Sequence, residues 1–270
     1  MTTLPPSAGV IGWPVGHSKS PLIHRFWLAK LGIDGDYSRF PVAPERLGEA
    51  IQALPALGLR GVNVTVPHKV GVMAHVDVVD PAAQAVGAVN AIVAAGGRLV
   101  GYNTDVDGVL EPLASIELAG RTAVVLGAGG AARAVVAALV QRGVGEIHIL
   151  NRDIDRARAV LAAFGVSGSA RPLGGALPPA KLLINATSLG MTGQPLLDIN
   201  LAELPDEAIV FDLVYAPLDT DLLTAARARG LWTIDGLSML IGQAAAAFAL
   251  FFGAAAPREH DAELRALLSA

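Results

Sequence analysis

The chain has 270 residues, of which 53% are hydrophobic and 5% aromatic, with a formal net charge of −4 and no cysteine. The lack of cysteine excludes disulfides, thiolate nucleophiles and cysteine-type zinc sites. An acidic chain also lacks the basic surface expected for binding nucleic acid or anionic membranes. The length suits two modest domains. Residues 1–6 show neither the basic nor the apolar region of a signal peptide, so we expect a cytoplasmic protein.

The first third of the chain has the pattern of an α/β domain. Apolar runs and their periodicity predict strand 8–12, helix 20–31, strand 36–42, helix 44–58 and strand 61–66. Ser20 and Pro21 are residue types preferred at the N-cap and first position of a helix, and Gly32 is the type that ends one. Within residues 87–104, the pair Gly96-Gly97 predicts a β-hairpin.

The rest of the chain predicts a parallel sheet with helices between its strands. A compact βαβ unit consists of strand 122–126, a glycine turn, helix 131–141 and strand 146–150. Further elements are expected as strands 181–185, 209–214 and 231–234, helix 219–229 and closing helices from Ser238. The uncharged stretch 238–256 approaches the length of a membrane span, but it is only weakly apolar. We therefore interpret it as a helix buried inside the protein.

The segment 127–132, Gly-Ala-Gly-Gly-Ala-Ala, matches the G-x-G-x-x-A dinucleotide pattern in the required place between a strand and a helix. Gly127 would permit the tight turn, Gly129 the approach of the pyrophosphate, and Ala132 close packing of helix on strand. The N-terminus of the helix would then bind the phosphates. A glycine turn that binds nothing is the structural alternative, and the context disfavours it.

Residues after the second strand of this unit bear on the choice of dinucleotide. Arg152 and Arg156 would accommodate a 2′-phosphate, which favours NADP. Asp153, about twenty residues after the fingerprint, would instead bond a free 2′-hydroxyl and favour NAD. The same residue type also suits the N-cap of a helix over 154–164. We expect NADP, with NAD as the open alternative.

Polar motifs outside the βαβ unit suggest a site for a small anionic molecule. Ser18 and Ser20 stand in a loop at a helix start, where hydroxyls suit a carboxylate. Alternation along the third strand places Asn63 and Thr65 on one face, and Lys69 follows directly. A helix cap and a solvated strand face are the plainer explanations of these motifs.

The hairpin region adds an amide, Asn90, and a carboxylate, Asp105. Asn103-Thr104-Asp105 would alternatively only cap the next helix. The six histidines show no metal-site spacing, and no G-x-S-x-G elbow occurs, so we expect no metal and no serine nucleophile.

Together these motifs resemble the shikimate dehydrogenase family over essentially the whole chain. The motifs S-K-S-P, N-V-T-V-P-x-K, G-A-V-N, N-T-D, G-A-G-G-A, N-R, I-N-A-T-S and G-L-x-M-L…Q occur in the family's order. The resemblance implies an α/β fold with two domains. Residues 1–105 with 238–270 would form the substrate domain, and residues 106–237 a Rossmann-type NADP-binding domain. The C-terminal helix would return to the first domain.

The resemblance also implies reversible reduction of 3-dehydroshikimate by NADPH, in chorismate and aromatic amino acid biosynthesis, by a monomer or homodimer. Lys69 and Asp105 would form the catalytic pair. The substrate would be bound by Ser18 and Ser20 at its carboxylate, by Asn63, Thr65, Asn90, Asp105 and Gln243 at its ring hydroxyls, and by Tyr215 near the carboxylate. The dinucleotide would be bound by Gly127, Ala128, Gly129, Gly130, Ala131, Asn151, Arg152, Arg156, Ala186, Thr187 and Ser188, with Leu213 and Gly236 near the nicotinamide.

In this scheme a lysine ammonium would protonate the developing alkoxide, since an ordinary lysine has a pKa of about 10.4. Acting as the base in the oxidation direction would need a pKa lowered by desolvation. Asp153 departs from the family pattern, in which NADP-dependent members commonly carry threonine. An NAD-dependent quinate/shikimate dehydrogenase is therefore the nearest alternative. A non-catalytic module that senses dinucleotide or shikimate is an alternative of another class.

Overall fold

The computed structural model describes residues 5–269; residues 1–4, on which the signal-peptide prediction partly depends, lie outside that range. The chain divides into two compact units. The first contains the described residues up to Thr104 and those from Ile241 onward, and the second is Asp105–Leu240. Each unit has its own six-stranded sheet with helices, so the predicted α/β class is confirmed. The return of the C-terminal helices to the first unit is confirmed as well.

The first unit contains a mixed sheet in the order β2-β1-β3-β5-β6-β4. Its elements are β1 (Ser7–Gly12), α1 (Ser20–Lys30), β2 (Asp36–Pro41), α2 (Leu47–Ala53), β3 (Leu59–Val64), β4 (Val78–Val79), α3 (Pro81–Val86), β5 (Ala91–Ala95), β6 (Arg98–Tyr102), the later part of α8 (Gly236–Phe252) and α9 (Asp261–Ser269). β1 pairs in parallel with β2 and β3, whereas β5 is antiparallel to β3 and β6. The predicted hairpin is confirmed, because the two residues between β5 and β6 are glycines with φ of 58° and 76°.

Three local predictions for this unit are wrong. Ser20 is not the N-cap, because Lys19 occupies that position in a helical conformation and Ser20 is already in the helix. The helix predicted over 44–58 is a 3₁₀ turn followed by the shorter α2, since a proline closely follows its last residue. The strand predicted over 61–66 is Leu59–Val64, so it ends before Val66, which is 68% exposed.

Packing around β3 determines where its polar side chain lies. Val62 and Val64 are buried in the apolar cluster that includes α2, so the alternate residue, Asn63, faces the opposite side of the sheet. On that side α8 approaches the strand very closely: a Cβ on Gly61 would lie 2.7 Å from the ring of Phe251. The absence of a side chain at Gly61 therefore allows α8 to cover the face that carries Asn63.

The second unit is a parallel sheet in the order β9-β8-β7-β10-β11-β12. Its elements are α4 (Asp105–Leu113), β7 (Thr122–Leu126), α5 (Gly130–Gln141), β8 (Glu146–Asn151), α6 (Ile154–Phe164), β9 (Ala170–Pro172), β10 (Leu182–Asn185), β11 (Ile209–Asp212), α7 (Asp221–Ala228), β12 (Trp232–Ile234) and the start of α8. This order matches the Rossmann arrangement 3-2-1-4-5-6, whose ligands bind where the strand order reverses, between β7 and β10. Among the helices of residues 5–269, none has the length and apolar character to cross a membrane.

Candidate functional site

The two serines at the start of α1 form a buried hydroxyl pair. Ser18 and Ser20 are 6% and 7% exposed, and their Oγ atoms lie 3.2 Å apart. The backbone N–H of Ser20 donates to Ser18 Oγ at 3.3 Å. From β2, Arg39 Nε donates to the backbone oxygen of Ser18 at 2.9 Å and holds this loop. Two buried hydroxyls fixed beside a helix N-terminus suit the binding of a carboxylate.

The serine pair continues into a buried polar network. The Tyr37 hydroxyl donates to Asn63 Oδ1 at 2.7 Å, and the neighbouring Ser20 side chain acts to lower the pKa of that hydroxyl. Asn63 Nδ2 donates to the backbone oxygen of Asn90 at 3.1 Å. The amide of Asn90 in turn donates to Thr104 Oγ1 at 3.0 Å and accepts from Thr104 N at 2.7 Å. We call this set the buried polar network: Ser18, Ser20, Tyr37, Asn63, Asn90 and Thr104.

Four of the network's six residues were predicted to bind substrate, and two were missed by sequence reasoning. Tyr37 is 0% exposed and Thr104 is 3% exposed. Burial raises the pKa of Tyr37 well above its ordinary value, against a hydrogen bond from Ser20 that lowers it, so its hydroxyl stays protonated. The available signal was a tyrosine in the middle of a parallel strand, since buried tyrosines usually have a partner for the hydroxyl.

The turn that carries Lys69 is anchored on both sides of that residue. His68 is 2% exposed, its N–H donates to Thr65 O at 2.9 Å, and its Nε2 lies 2.7 Å from Val42 O. His68 therefore packs locally. The backbone oxygen of Lys69 accepts from Val89 N at 2.8 Å, which links the turn to the residue before Asn90. The half-buried lysine is thus held next to the segment that contains a member of the buried polar network.

For four other predicted substrate residues, the structure gives the burial and the position in the fold. Thr65 is half-buried beside Gly12, where a Cβ would lie 2.5 Å from its methyl group. Gln243 is 8% exposed on α8, and Asp105 is 2% exposed as the first residue of α4. Tyr215 follows β11 in the second unit and is half-buried. The network does not include these four, and their contacts with substrate stay predictions.

The glycine turn after β7 has the shape of a phosphate cradle. Gly127 has a φ of 102°, which a residue with a side chain rarely adopts. Gly129 at the N-terminus of α5 provides no side-chain cap, and a Cβ there would have no neighbour within 4 Å in the described structure. The first N–H groups of α5 therefore face open space, as a pyrophosphate requires. The turn fits the dinucleotide that its sequence predicts.

Two loops meet at the point where the strand order reverses. A Cβ on Gly127 would lie 3.1 Å from both Ala186 O and Thr187 Cγ2. The Ala186–Ser188 loop is held by Asn185, whose Oδ1 accepts from Thr187 N at 3.0 Å and Thr187 Oγ1 at 2.7 Å. Predicted cofactor residues from β7 and β10 are thus neighbours.

Asp212, which sequence reasoning missed, ties this loop to the next one. It is 0% exposed and accepts from Asn185 Nδ2 at 2.8 Å, Val214 N at 3.0 Å and Thr220 Oγ1 at 2.7 Å. Burial raises the pKa of Asp212, while these hydrogen bonds act to lower it. The Leu213 backbone oxygen would lie 2.6 Å from a Cβ at Gly236, so that close approach requires glycine.

The structure decides one use of Asp153 that the sequence left open. Its Oδ1 accepts from the N–H groups of Asp155 and Arg156 at 3.1 and 3.2 Å, which makes it the N-cap of α6. Its Oδ2 lies 3.4 Å from Arg156 Nε. Asn151 Nδ2 donates to Asp153 O at 2.8 Å and fixes the turn. Arg152 directly after β8 and Arg156 in the first turn of α6 are both exposed, near where a 2′-phosphate would be bound.

Three family models match the chain. They are the shikimate dehydrogenase substrate binding domain over residues 10–92, shikimate/quinate 5-dehydrogenase over residues 111–192, and the shikimate 5′-dehydrogenase C-terminal domain over residues 236–263. Among curated relatives, the shikimate dehydrogenase (NADP(+)) of Sphingopyxis alaskensis is 55% identical over 267 residues, which cover 98% of this chain and 97% of that protein.

Solved structures agree over the same length. Shikimate 5-dehydrogenase from Thermus thermophilus, in complex with NADP(H) and shikimate, is 40% identical with a TM-score of 0.86, covering 97% of this chain and 99% of that one. Quinate dehydrogenase from Corynebacterium glutamicum, in complex with NAD, is 32% identical with a TM-score of 0.87 at the same coverage. In residues 5–269, no group of three or more His, Asp or Glu residues is arranged to hold a metal ion.

Proposed function

The chain belongs to the shikimate dehydrogenase family, and we propose that Lys69 and Asp105 carry out its reaction on a substrate held by the buried polar network. It is an NADP-dependent oxidoreductase that reversibly reduces 3-dehydroshikimate to shikimate. The observation that supports the placement of substrate is the network itself. Residues from four separate sequence motifs are buried there, with hydrogen bonds between Ser18 and Ser20 and along Tyr37, Asn63, Asn90 and Thr104.

The network supplies different chemistry at its two ends. The hydroxyls of Ser18 and Ser20 would bind the substrate carboxylate, because buried hydroxyls and a helix N-terminus favour an anion. Asn63 would bind a ring hydroxyl, since its bonds described above use one of its two amide hydrogens. The chain's net charge of −4 opposes an acidic substrate, so these local donors must provide the affinity.

NADPH supplies the hydride when it is bound. Gly127, Gly129 and the N-terminus of α5 would hold its pyrophosphate, and the exposed guanidinium groups of Arg152 and Arg156 its 2′-phosphate. The fit depends on the open space at Gly129, which a side chain would occupy. The Asn185–Asp212 pair would hold the Ala186–Ser188 loop in place without touching the reacting atoms.

Lys69 would donate the proton that the developing alkoxide needs. A lysine ammonium is a proton donor at neutral pH, and the anchored turn restricts where its side chain reaches. In the reverse direction the same nitrogen would accept the proton of the substrate hydroxyl. Asp105, buried at the start of α4, would orient that hydroxyl and the lysine.

The test is reduction of NADP⁺ and of NAD⁺ by shikimate, followed by nicotinamide absorbance, in the wild type and in Lys69→Ala. We expect NADP⁺ to be the better acceptor. In the variant, kcat should fall by about 10²–10⁴ with KM much less affected. Lys30→Ala is a matched control, since Lys30 forms an ion pair with the exposed Glu263.

Near wild-type kcat in Lys69→Ala would refute the assignment of the proton donor. Turnover of quinate with NAD⁺, in place of shikimate with NADP⁺, would indicate an NAD-dependent quinate dehydrogenase like the relative solved with NAD. Binding of the ligands without turnover would indicate a sensing module. We further propose the cytoplasmic location expected from the sequence. Whether the protein is a monomer or a homodimer stays a prediction.

A further inference from the structure

Tyr37 lies at the centre of the buried polar network, yet no role in the reaction has been given to it above. Its hydroxyl donates to Asn63 Oδ1 at 2.7 Å, and the neighbouring Ser20 side chain acts to lower the pKa of that hydroxyl. Tyr37 therefore contacts an asparagine expected at the substrate ring and neighbours a serine expected at the carboxylate.

The hydrogen bond from Tyr37 also bears on which way the Asn63 amide points. The oxygen and nitrogen of an asparagine amide have similar shapes, and their hydrogen-bond partners decide between the two orientations. Tyr37 requires the oxygen of Asn63 on its side, and the Asn90 carbonyl requires the nitrogen on the other side at 3.1 Å. Both contacts agree, so the second amide hydrogen of Asn63 is presented as a donor.

The tyrosine ring itself is held in a fixed place. His24 stacks on it with ring centres 4.0 Å apart and planes 4° from parallel, and Phe251 lies 6.4 Å away. Burial raises the pKa of Tyr37 well above its ordinary value, which keeps the hydroxyl proton available for donation. A rigid ring with a permanent donor is suited to orienting a neighbouring side chain.

We propose that Tyr37 is a positioning residue for substrate, which orients the Asn63 amide and presents it as a donor toward the ring. The proposal rests on the proposed function, because that function places substrate at the network. Tyr37 acts through Asn63, so its effect falls on the affinity for shikimate. The affinity for NADP⁺ should not depend on Tyr37.

Tyr37→Phe is the direct test, since it removes one oxygen and keeps the stacked ring. We expect KM for shikimate to rise about tenfold, the factor of one lost hydrogen bond, while KM for NADP⁺ stays within about twofold. Tyr102→Phe makes the same change at a half-buried tyrosine of the same unit and should alter neither constant. An unchanged KM for shikimate in Tyr37→Phe, with or without a fall in kcat, would overturn the proposal.

A second measurement decides the question even where Tyr37→Phe gives no folded protein. In the wild type, adding shikimate should shift one of the two side-chain amide proton NMR signals of Asn63, the one not bonded to the Asn90 carbonyl. If saturating shikimate shifts neither signal, the proposal is overturned. Failure of the proposed function is recognised separately, since the wild type would then not oxidise shikimate at all.

Discussion

His24 makes the stability of the first unit sensitive to acid, and the size of the effect follows from its surroundings. The imidazole is 0% exposed, and neither ring nitrogen has a hydrogen-bond partner within residues 5–269. Burial lowers the pKa of His24 from 6.5 to about 3. Folding therefore depends on a neutral ring. Its stabilising contribution is complete above pH 6.5 and is lost progressively as the pH falls from 6.5 towards 3.

At about pH 5 the unfolded chain has gained about 2 kcal/mol from protonating this histidine, at about 1.4 kcal/mol for each pH unit below 6.5. His24→Phe keeps a ring against Tyr37 and removes the titration. Its packing cost is the same at both pH values, so it cancels in the comparison. Between about pH 7.5 and 5, the wild type should lose about 2 kcal/mol more unfolding free energy than the variant does.

The assay is urea unfolding of both proteins at the two pH values, with His17→Gln as a control for loss of an exposed histidine. Equal acid sensitivity in the wild type and His24→Phe would show that the native state accommodates a charged imidazole. The reasoning from burial would then be refuted.

Three further predictions concern the dinucleotide half of the enzyme. Gly129→Ala should raise KM for NADP⁺ and leave thermal stability unchanged, because the added Cβ meets no atom within 4 Å in the described structure. Gly127→Ala should raise the same KM and in addition lower the free energy of unfolding by about 1–3 kcal/mol, because the residue has a φ of 102°. Asp153→Asn keeps an N-cap and removes the carboxylate that pairs with Arg156, which leaves that guanidinium available for the 2′-phosphate. KM for NADP⁺ should therefore fall by up to about fivefold. A rise would instead implicate the carboxylate in binding. Asp212→Asn should destabilise by about 1–3 kcal/mol and raise KM for NADP⁺ but not for shikimate, as steady-state kinetics and denaturation would show.

The βαβ unit could be predicted closely because its signals are local. Glycines mark its turns, apolar residues fill its strands, and β7 has the predicted bounds of residues 122–126. The N-cap at Asp153 was also available from residue type, and the structure shows that the residue is used in this way. The helix predicted over 44–58 was too long, because the apolar periodicity continues past Ala53, where α2 ends.

The candidate site could be predicted only where its residues lie in recognisable motifs. Ser18, Asn63 and Asn90 were found in this way, and hydrogen bonds bring them into one network. Tyr37 and Asp212 were not found, because their roles depend on partners distant in the chain. No local pattern specifies that a tyrosine of β2 reaches an amide of β3.

The first unit is assembled from two distant stretches of chain, and this affects how the protein can be made. The second unit, Asp105–Leu240, is continuous and can fold as soon as it has left the ribosome. The first unit lacks Phe248 and Phe251, which are 0% and 3% exposed beside the stacked rings of His24 and Tyr37, until the whole of the second unit has been synthesised. The residues up to Thr104 are therefore translated before the second unit but complete their fold after it. A chain that ends prematurely at Leu240 would keep its nucleotide fold and lose the helix that covers the substrate network.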